Sequence, residues 1–331
     1  AYAGPAEDET LDQNYEALAV AGSISASATS GQGFLSGDVA GAGAGIVTTM
    51  DVPVTAQIIG GAIVHAGAQG VDASGQPTLL IAGDVAVTAT DQTSVRNDAG
   101  GVVLAAAFAA KGNAVSVTVA ASQITLTAHG GASAIVDSAE VHATRDVTVE
   151  ATSALAAGSG ADYRYHSLAM AGDLTVALNT GQGLLTGDFE GAGAGVHSDL
   201  NLVTEARVNA STLTAGLIGL DAGGGSTRIA EGDIVVRAKD SSPIAAEAGG
   251  VSVGIAFASS STGVGSVGVG ASNVINDLGQ DSHGSYAVSA IVSGSDLTAS
   301  GDVDVEAIGG PDIRSFSLGG AVAGAVSTDA T

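Results

Sequence analysis

Short alternating runs dominate the chain. Asp84-Val85-Ala86-Val87-Thr88-Ala89 and Asp146-Val147-Thr148-Val149-Glu150-Ala151 place Val and Ala on one face and polar residues on the other. Val115, Val117 and Val119 keep the same period, as do Val264, Val267 and Val269 after a slip at Ser266. A period of two marks a half-buried β-strand, because successive side chains of an extended backbone point to opposite faces. Gly-Asp and Gly-Gly pairs punctuate the runs every 10 to 25 residues or so, as turns do. Residues 8–20, DETLDQNYEALAV, are the one candidate helix.

The strand pattern is duplicated. Residues 31–45 read GQGFLSGDVAGAGAG and residues 181–195 read GQGLLTGDFEGAGAG, identical at 11 of 15 positions. Tyr15, Leu18, Ala19 and Gly22 match Tyr165, Leu168, Ala169 and Gly172 upstream. Downstream, GDVAVTATD from Gly83 matches GDIVVRAKD from Gly232, AGGVVLAAAF from Ala99 matches AGGVSVGIAF from Ala248, and RDVTVEA from Arg145 matches GDVDVEA from Gly301. DIRSFSL at Asp312 echoes DYRYHSL at Asp162. The organisation expected is a first repeat over 1–161, a second over 162–311 and the start of a third over 312–331. The protein is expected to continue beyond Thr331.

Composition turns this all-β pattern towards a particular architecture. Glycine is 50 of 331 residues, aromatics are 3% and Trp is absent. A core of Ala and Val must be thin and must bring backbone close to backbone. Small inward side chains and an in-register long repeat point to a right-handed parallel β-solenoid. A two-sheet arrangement with longer strands per repeat is the alternative. With some twenty residues per coil, each repeat would hold about seven coils and rise ~33 Å.

Thirty-four acids face nine bases, a net charge of −25, and there is no cysteine. A nucleic-acid partner is excluded by the want of clustered Lys and Arg. Anionic membrane surfaces are disfavoured for the same reason. Residues 102–110, the longest apolar run, are too short for a membrane helix. Disulfides and thiolate metal sites are absent.

The cadence of residues 232–238, 248–257, 263–273 and 295–307 resembles the repeats of giant bacterial filamentous adhesins, the leukotoxin-like and filamentous-haemagglutinin-like secreted proteins. The resemblance implies a secreted or surface-exposed rod with adhesive or structural roles, and carries over no catalytic residue. The function expected is therefore the structural shaft of an extracellular adhesin or filament. It would associate end to end or laterally with identical repeats, and calcium or salt would promote bundling by screening the acidic surface. A host surface or glycan is a further partner class. The alternatives are a carbohydrate- or surface-binding module on a β-helix, and a polysaccharide-cleaving β-helix enzyme.

No catalytic or cofactor-binding residue is assigned. Residues 250–254 match G-x-S-x-G and residues 263–268 match G-x-G-x-x-G, but a glycine-rich chain produces both by chance and neither has the strand–turn–helix setting its chemistry needs. The six histidines, His65, His129, His142, His166, His197 and His283, are scattered. The Gly-Asp corners at Asp38, Asp188, Asp84, Asp233, Asp173 and Asp302 are weak candidates for a structural calcium ion, since stacked coils would align their carboxylates. Their simpler role is a turn in which Asp accepts from its own backbone. Tyr163-Arg164-Tyr165-His166 and Phe34-Leu35 are the aromatic clusters, read mainly as packing. Residues 281–284, an insertion of the second repeat, would host any non-repetitive activity.

Overall fold

The computed structural model describes residues 14–30, 35–221, 224–261, 263–279 and 286–328. Among them there is no helix. Residues 14–20, the end of the candidate helix, are strand instead, because alternation outweighs local helix propensity once a partner strand is available.

The chain makes successive passes around one circuit. The first holds β1 (Asn14–Thr29), β2 (Leu35–Ile59), β3 (Ile63–Ala66), β4 (Ala68–Val71), β5 (Pro77–Ile81) and β6 (Val85–Asp91). The second holds β7 (Ser94–Ala109), β8 (Asn113–Asp137), β9 (Glu140–Ala143) and β10 (Val147–Ala154). The third holds β11 (Tyr165–Gly183), β12 (Thr186–Asn209), β13 (Thr212–Ala215), β14 (Leu217–Leu220), β15 (Ser226–Ala230) and β16 (Ile234–Ser241). The fourth holds β17 (Ile244–Ser261), β18 (Val264–Leu278), β19 (Ala287–Ser293), β20 (Asp296–Ala299) and β21 (Val303–Gly309), and β22 (Ile313–Ser327) opens a fifth.

Each strand pairs in parallel with its counterparts on the neighbouring passes, giving four parallel sheets. Sheet I is β1-β7-β11-β17-β22. Sheet II is β2-β8-β12-β18, with β19 also beside β12. Sheet III is β3-β9-β13-β20 and sheet IV is β6-β10-β16-β21. β4–β5 and β14–β15 are antiparallel hairpins leaving the circuit on the first and third passes. Gly67 (φ 84°) and Gly216 (φ 78°) open the two hairpins at equivalent places. A Cβ on Gly67 would also lie 2.6 Å from the Ile81 carbonyl oxygen, so both conformation and space require glycine there.

The register measures the passes. Asn14 pairs with Ser94, Val95 with Tyr165, Tyr165 with Ile244 and Ile244 with Ile313. Successive passes therefore take 80, 70, 79 and 69 residues. The expected coil of some twenty residues is too short by more than threefold. Two passes make one duplication unit, which rises ~9.6 Å instead of ~33 Å. The long strands match the two-sheet alternative: those of sheet I run 15 to 19 residues.

The core changes along the circuit. Between sheets II, III and IV it is Val-, Leu- and Ile-rich, around Val141, Val149, Val208, Leu213 and Ile234. Between sheets I and II it thins to alanine, with Ala99, Ala120, Ala169, Ala192 and Ala248 in contact. The two backbones nearly touch there. A Cβ built on Gly101 would lie 2.4 Å from the Ala121 carbonyl oxygen, and one on Gly250 2.3 Å from that of Ala271. Nothing lies within 4 Å of a Cβ on Gly100 or Gly249, which point outwards. The Gly-Gly pairs of the duplicated AGGV segments thus have unequal roles: only the second glycine is under steric constraint.

The alternating run of β6 and β10 faces the core as read from the sequence, with Val85, Val87, Val147 and Val149 buried. The runs of β8 and β18 are inverted. Ser116 and Thr118 are buried while Val119, Val267 and Val269 are exposed. At these positions, where sheets I and II are close, small hydroxyl side chains lie between them and the alternating valines lie outside.

Gly250→Ala should destabilise the fold by about 1–3 kcal/mol through overpacking against a backbone that cannot retreat, whereas Gly249→Ala should leave thermal stability unchanged or slightly raised. Calorimetry of the two variants checks this pair. Equal losses from both would contradict the inter-sheet contact.

Candidate functional site

The least conventional part of the molecule lies between sheets I and II, near the turn that joins them. Inward positions there carry carboxylates and hydroxyls. On the first pass the Ser25 hydroxyl, from β1, donates to Asp38 of β2. On the third pass the equivalent pair is Thr175 and Asp188, with Thr175 Oγ1 2.5 Å from Asp188 Oδ2. Between them, Thr118 Oγ1 of β8 lies 2.7 and 2.6 Å from the two carboxylate oxygens of Asp173 on β11. The Gly191 amide donates to the same carboxylate at 3.1 Å.

Glu190 joins this group, with Oε2 3.4 Å from Thr175 Oγ1. Its room comes from Gly254 and Gly268: a Cβ on either would lie 2.1 Å and 2.5 Å from the carboxylate oxygens. The first copy has Ala40, Ala105 and Thr118 at these three places. The second copy thus exchanges a small apolar contact for an acid and removes side chains opposite to admit it.

Asp188 is fully buried, and Asp38, Asp173 and Glu190 nearly so. Among the described residues no Lys or Arg forms an ion pair with any of them. Asp188 Oδ1, Glu190 Oε1 and the Ser252 hydroxyl are buried without a hydrogen-bond partner. Burial pushes the carboxyl groups of Asp173 and Asp188 above the ordinary carboxylate range. Glu190 is pushed up to about 7, by burial first and then by the charges of Asp188 and Asp173. A core can hold such groups by favouring the protonated form, and burial shifts Asp173, Asp188 and Glu190 in that direction.

The six aspartates expected at Gly-Asp corners divide into two sets. Asp38, Asp173 and Asp188 belong to the buried group. Asp84, Asp233 and Asp302 sit at the entry to sheet IV, together with Asp146, where they form a ladder between passes. The Asp146 amide donates to Asp84 Oδ1 at 3.2 Å, the Asp233 amide to Asp146 Oδ1 at 2.9 Å, and the Asp302 amide to Asp233 Oδ1 at 2.8 Å. The carboxylates of Asp84, Asp146 and Asp233 therefore accept from the next pass, not from their own backbone as the turn reading has it. Local acceptance does occur at Asp91, from the Thr93 amide at 3.0 Å, and at Asp240, from the Ser242 amide at 2.9 Å. No group of three His, Cys, Asp or Glu is arranged to hold a metal ion among the described residues.

The tyrosine cluster splits in two. Arg164 is fully buried at the corner between sheets IV and I. Its guanidinium donates to the Thr93 carbonyl at 2.8 Å, to Ser242 Oγ at 2.7 Å, and to Asp91. Tyr165 is buried beside it, its ring centre 5.2 Å from the guanidinium carbon. Tyr286 OH donates to Asp240 at 2.7 Å in the same corner. Tyr163 and His166 stay outside, with ring centres 5.8 Å apart, and border a hollow of about 380 Å³ with Tyr15, Glu16 and Arg96.

The remaining motifs lie on strands. Ser252 of the G-x-S-x-G match is mid-strand in β17 and fully buried. The G-x-G-x-x-G match leads into β18 with no helix after it. Stacking does bring two histidines together: His65 and His142 lie parallel with centres 5.0 Å apart, and His142 is 2.7 Å from Glu140. These histidines are 77 residues apart, so only the pass length, which local spacing hides, pairs them. Phe34, His283 and the insertion at 281–284 lie outside the described residues.

Compared with protein-family models, with curated proteins and with solved structures, the chain matches none.

Because folded Glu190 binds a proton that the unfolded chain releases above its ordinary value of 4.5, its contribution to stability falls as pH rises from there through about 7. The loss is at most about 3 kcal/mol. Thermal midpoints at pH 5 and pH 8 should show wild type less stable at pH 8, and Glu190→Gln should remove a large part of that difference. A difference unchanged by the substitution would assign the pH effect to the general acidity of the surface.

Proposed function

We propose that this chain is a structural segment of a secreted or cell-surface bacterial adhesin or extracellular filament, folded as a right-handed parallel β-solenoid of tandem units and performing no catalysis. The observation that carries the reading is the in-register stacking of whole passes, with each interior column continued from one pass to the next. Such stacks gain stability from neighbouring passes, so the same unit can be added without limit. Among the described residues β1, β2, β3 and β6 of the first pass are edge strands of their sheets, which suits end-to-end addition of an identical stack.

Length is an inefficient use of this design. The five passes together rise only about 24 Å, while the 25 residues of β2 extend to about 80 Å. The product of stacking is a wide ribbon, and its broad faces are its main surface. A binding module is the second reading. It is favoured by the hollow beside Tyr163, where tyrosine, arginine and glutamate converge as they do at many contact sites.

Electron microscopy of the native material, with and without a calcium chelator and across salt concentrations, tests the reading. Elongated ribbons whose bundling increases with calcium or salt are expected. Separate particles about 24 Å thick under every condition would overturn it.

A further inference from the structure

The outward face of sheet I is more apolar than its inward face. On β7 the outward positions are Gly100, Val102, Leu104, Ala106 and Phe108; on β11 Met170, Gly172, Leu174, Val176 and Leu178; on β17 Gly249, Val251, Val253, Ile255 and Phe257. None of the fifteen is polar. The inward positions behind them include Asp173, Thr175 and Ser252. These three strands have neighbours on both sides, yet Val102 is 50% exposed, Met170 56% and Phe108 41%. The charged groups of the face lie along one margin, at Glu16, Arg96, Asp98, His166, Glu247 and Arg314.

The face is flat and wide. Five strands at ~4.8 Å and nine residues at ~3.3 Å give about 24 by 30 Å, or roughly 700 Å². A monomeric soluble protein rarely leaves so much continuous apolar surface bare. The area is close to the ~800 Å² that each partner contributes to a stable interface of standard size.

We propose that this face pairs with the same face of a second copy of the chain, sheet I upon sheet I. The net charge of −25 opposes association at long range, where salt screens it, and the patch itself adds no like-charge contact. The charged margin carries both signs, as the polar rim of a protein interface does. A lipid surface suits the face less well: the chain carries a net charge of −25, which anionic headgroups repel. The pairing is separate from end-to-end stacking and does not rest on the adhesin reading.

The test uses the whole 331-residue chain. Light scattering at tens of micromolar should give at least twice the monomer mass for wild type. Leu104→Glu/Leu174→Glu should raise the dissociation constant at least roughly a hundredfold, as loss of central anchors does. Both sites face outwards, so its circular dichroism should stay that of wild type, and the milder Leu104→Ser/Leu174→Ser should weaken pairing while leaving the fold intact. Because the chain has no cysteine, Leu104→Cys and Leu174→Cys should cross-link between copies under mild oxidation, and Val119→Cys on the outer face of sheet II should not. A monomeric wild type, a dimer that survives the glutamates, or cross-linking through Val119→Cys alone would overturn the proposal. So would flotation of wild type with neutral phosphatidylcholine vesicles that the glutamates abolish, which would assign the face to lipid.

Discussion

The narrow gap between sheets I and II governs the rest of the structure. Facing sheets ordinarily pack about 10 Å apart, with side chains filling the space. Here glycine meets backbone at Gly101 and Gly250, and the residues between the sheets are mostly alanine. A gap of that width favours Ala, Gly, Ser and Thr, and larger side chains such as Val103 and Ile124 enter it only at isolated positions among the alanines. Most of the larger apolar side chains of sheet I, such as Val102, Leu104, Phe108, Met170 and Leu174, are therefore outside, and its outer face becomes the greasier one. Each pass also gains little apolar burial per residue from such a core. Long strands and full backbone pairing offset that shortfall, so the passes run to 69–80 residues.

The same gap explains how acids come to be inside. Asp and Thr side chains are short, and across a normal inter-sheet distance Thr118 and Asp173 would not meet. Here a hydroxyl on sheet II reaches a carboxylate on sheet I directly. Such bonds lower the cost of burying the acid without supplying a countercharge. Burial raises the carboxyl groups of Asp173, Asp188 and Glu190 towards the protonated form, Glu190 furthest. Glu190 shows how tight the balance is, since its side chain is admitted only where Gly254 and Gly268 have no Cβ.

Strand identity was readable from alternation, and the 150-residue duplication from direct comparison, but facing and pass length were not. The runs at Val85 and Val147 point inwards and those at Val119 and Val267 point outwards, although all four look alike as patterns. What separates them is the width of the gap they border, a property of the opposite sheet. Pass length is set by partners some seventy or eighty residues away, and no local spacing records it. The two-pass unit has a physical reason in the hairpins. Leu220 N donates to Gln76 Oε1 at 2.9 Å, so hairpin β14–β15 rests on hairpin β4–β5. These are small sheets stacked two passes apart, about 9.6 Å, which is the spacing sheets need when packed face to face. A hairpin on every pass would be too crowded. The Gly-Asp signature singled out Asp38 and Asp188 but as corners, whereas both lie within strands with their carboxylates buried, and Glu190 carried no signal except its mismatch with Ala40 in the other copy.

The narrow gap is most directly tested by joining the sheets across it. Ser272 of β18 and Ser317 of β22 lie on opposite sheets with their hydroxyl oxygens 2.6 Å apart. In a chain free of other cysteines, Ser272→Cys/Ser317→Cys should close an intramolecular disulfide under mild oxidation, read as a mass loss of about 2 Da and full protection from alkylation, because the geometry falls within disulfide reach. Two thiols that stay free and alkylatable would mean that the sheets lie further apart, and the account of the core, the buried acids and the apolar face would fail together.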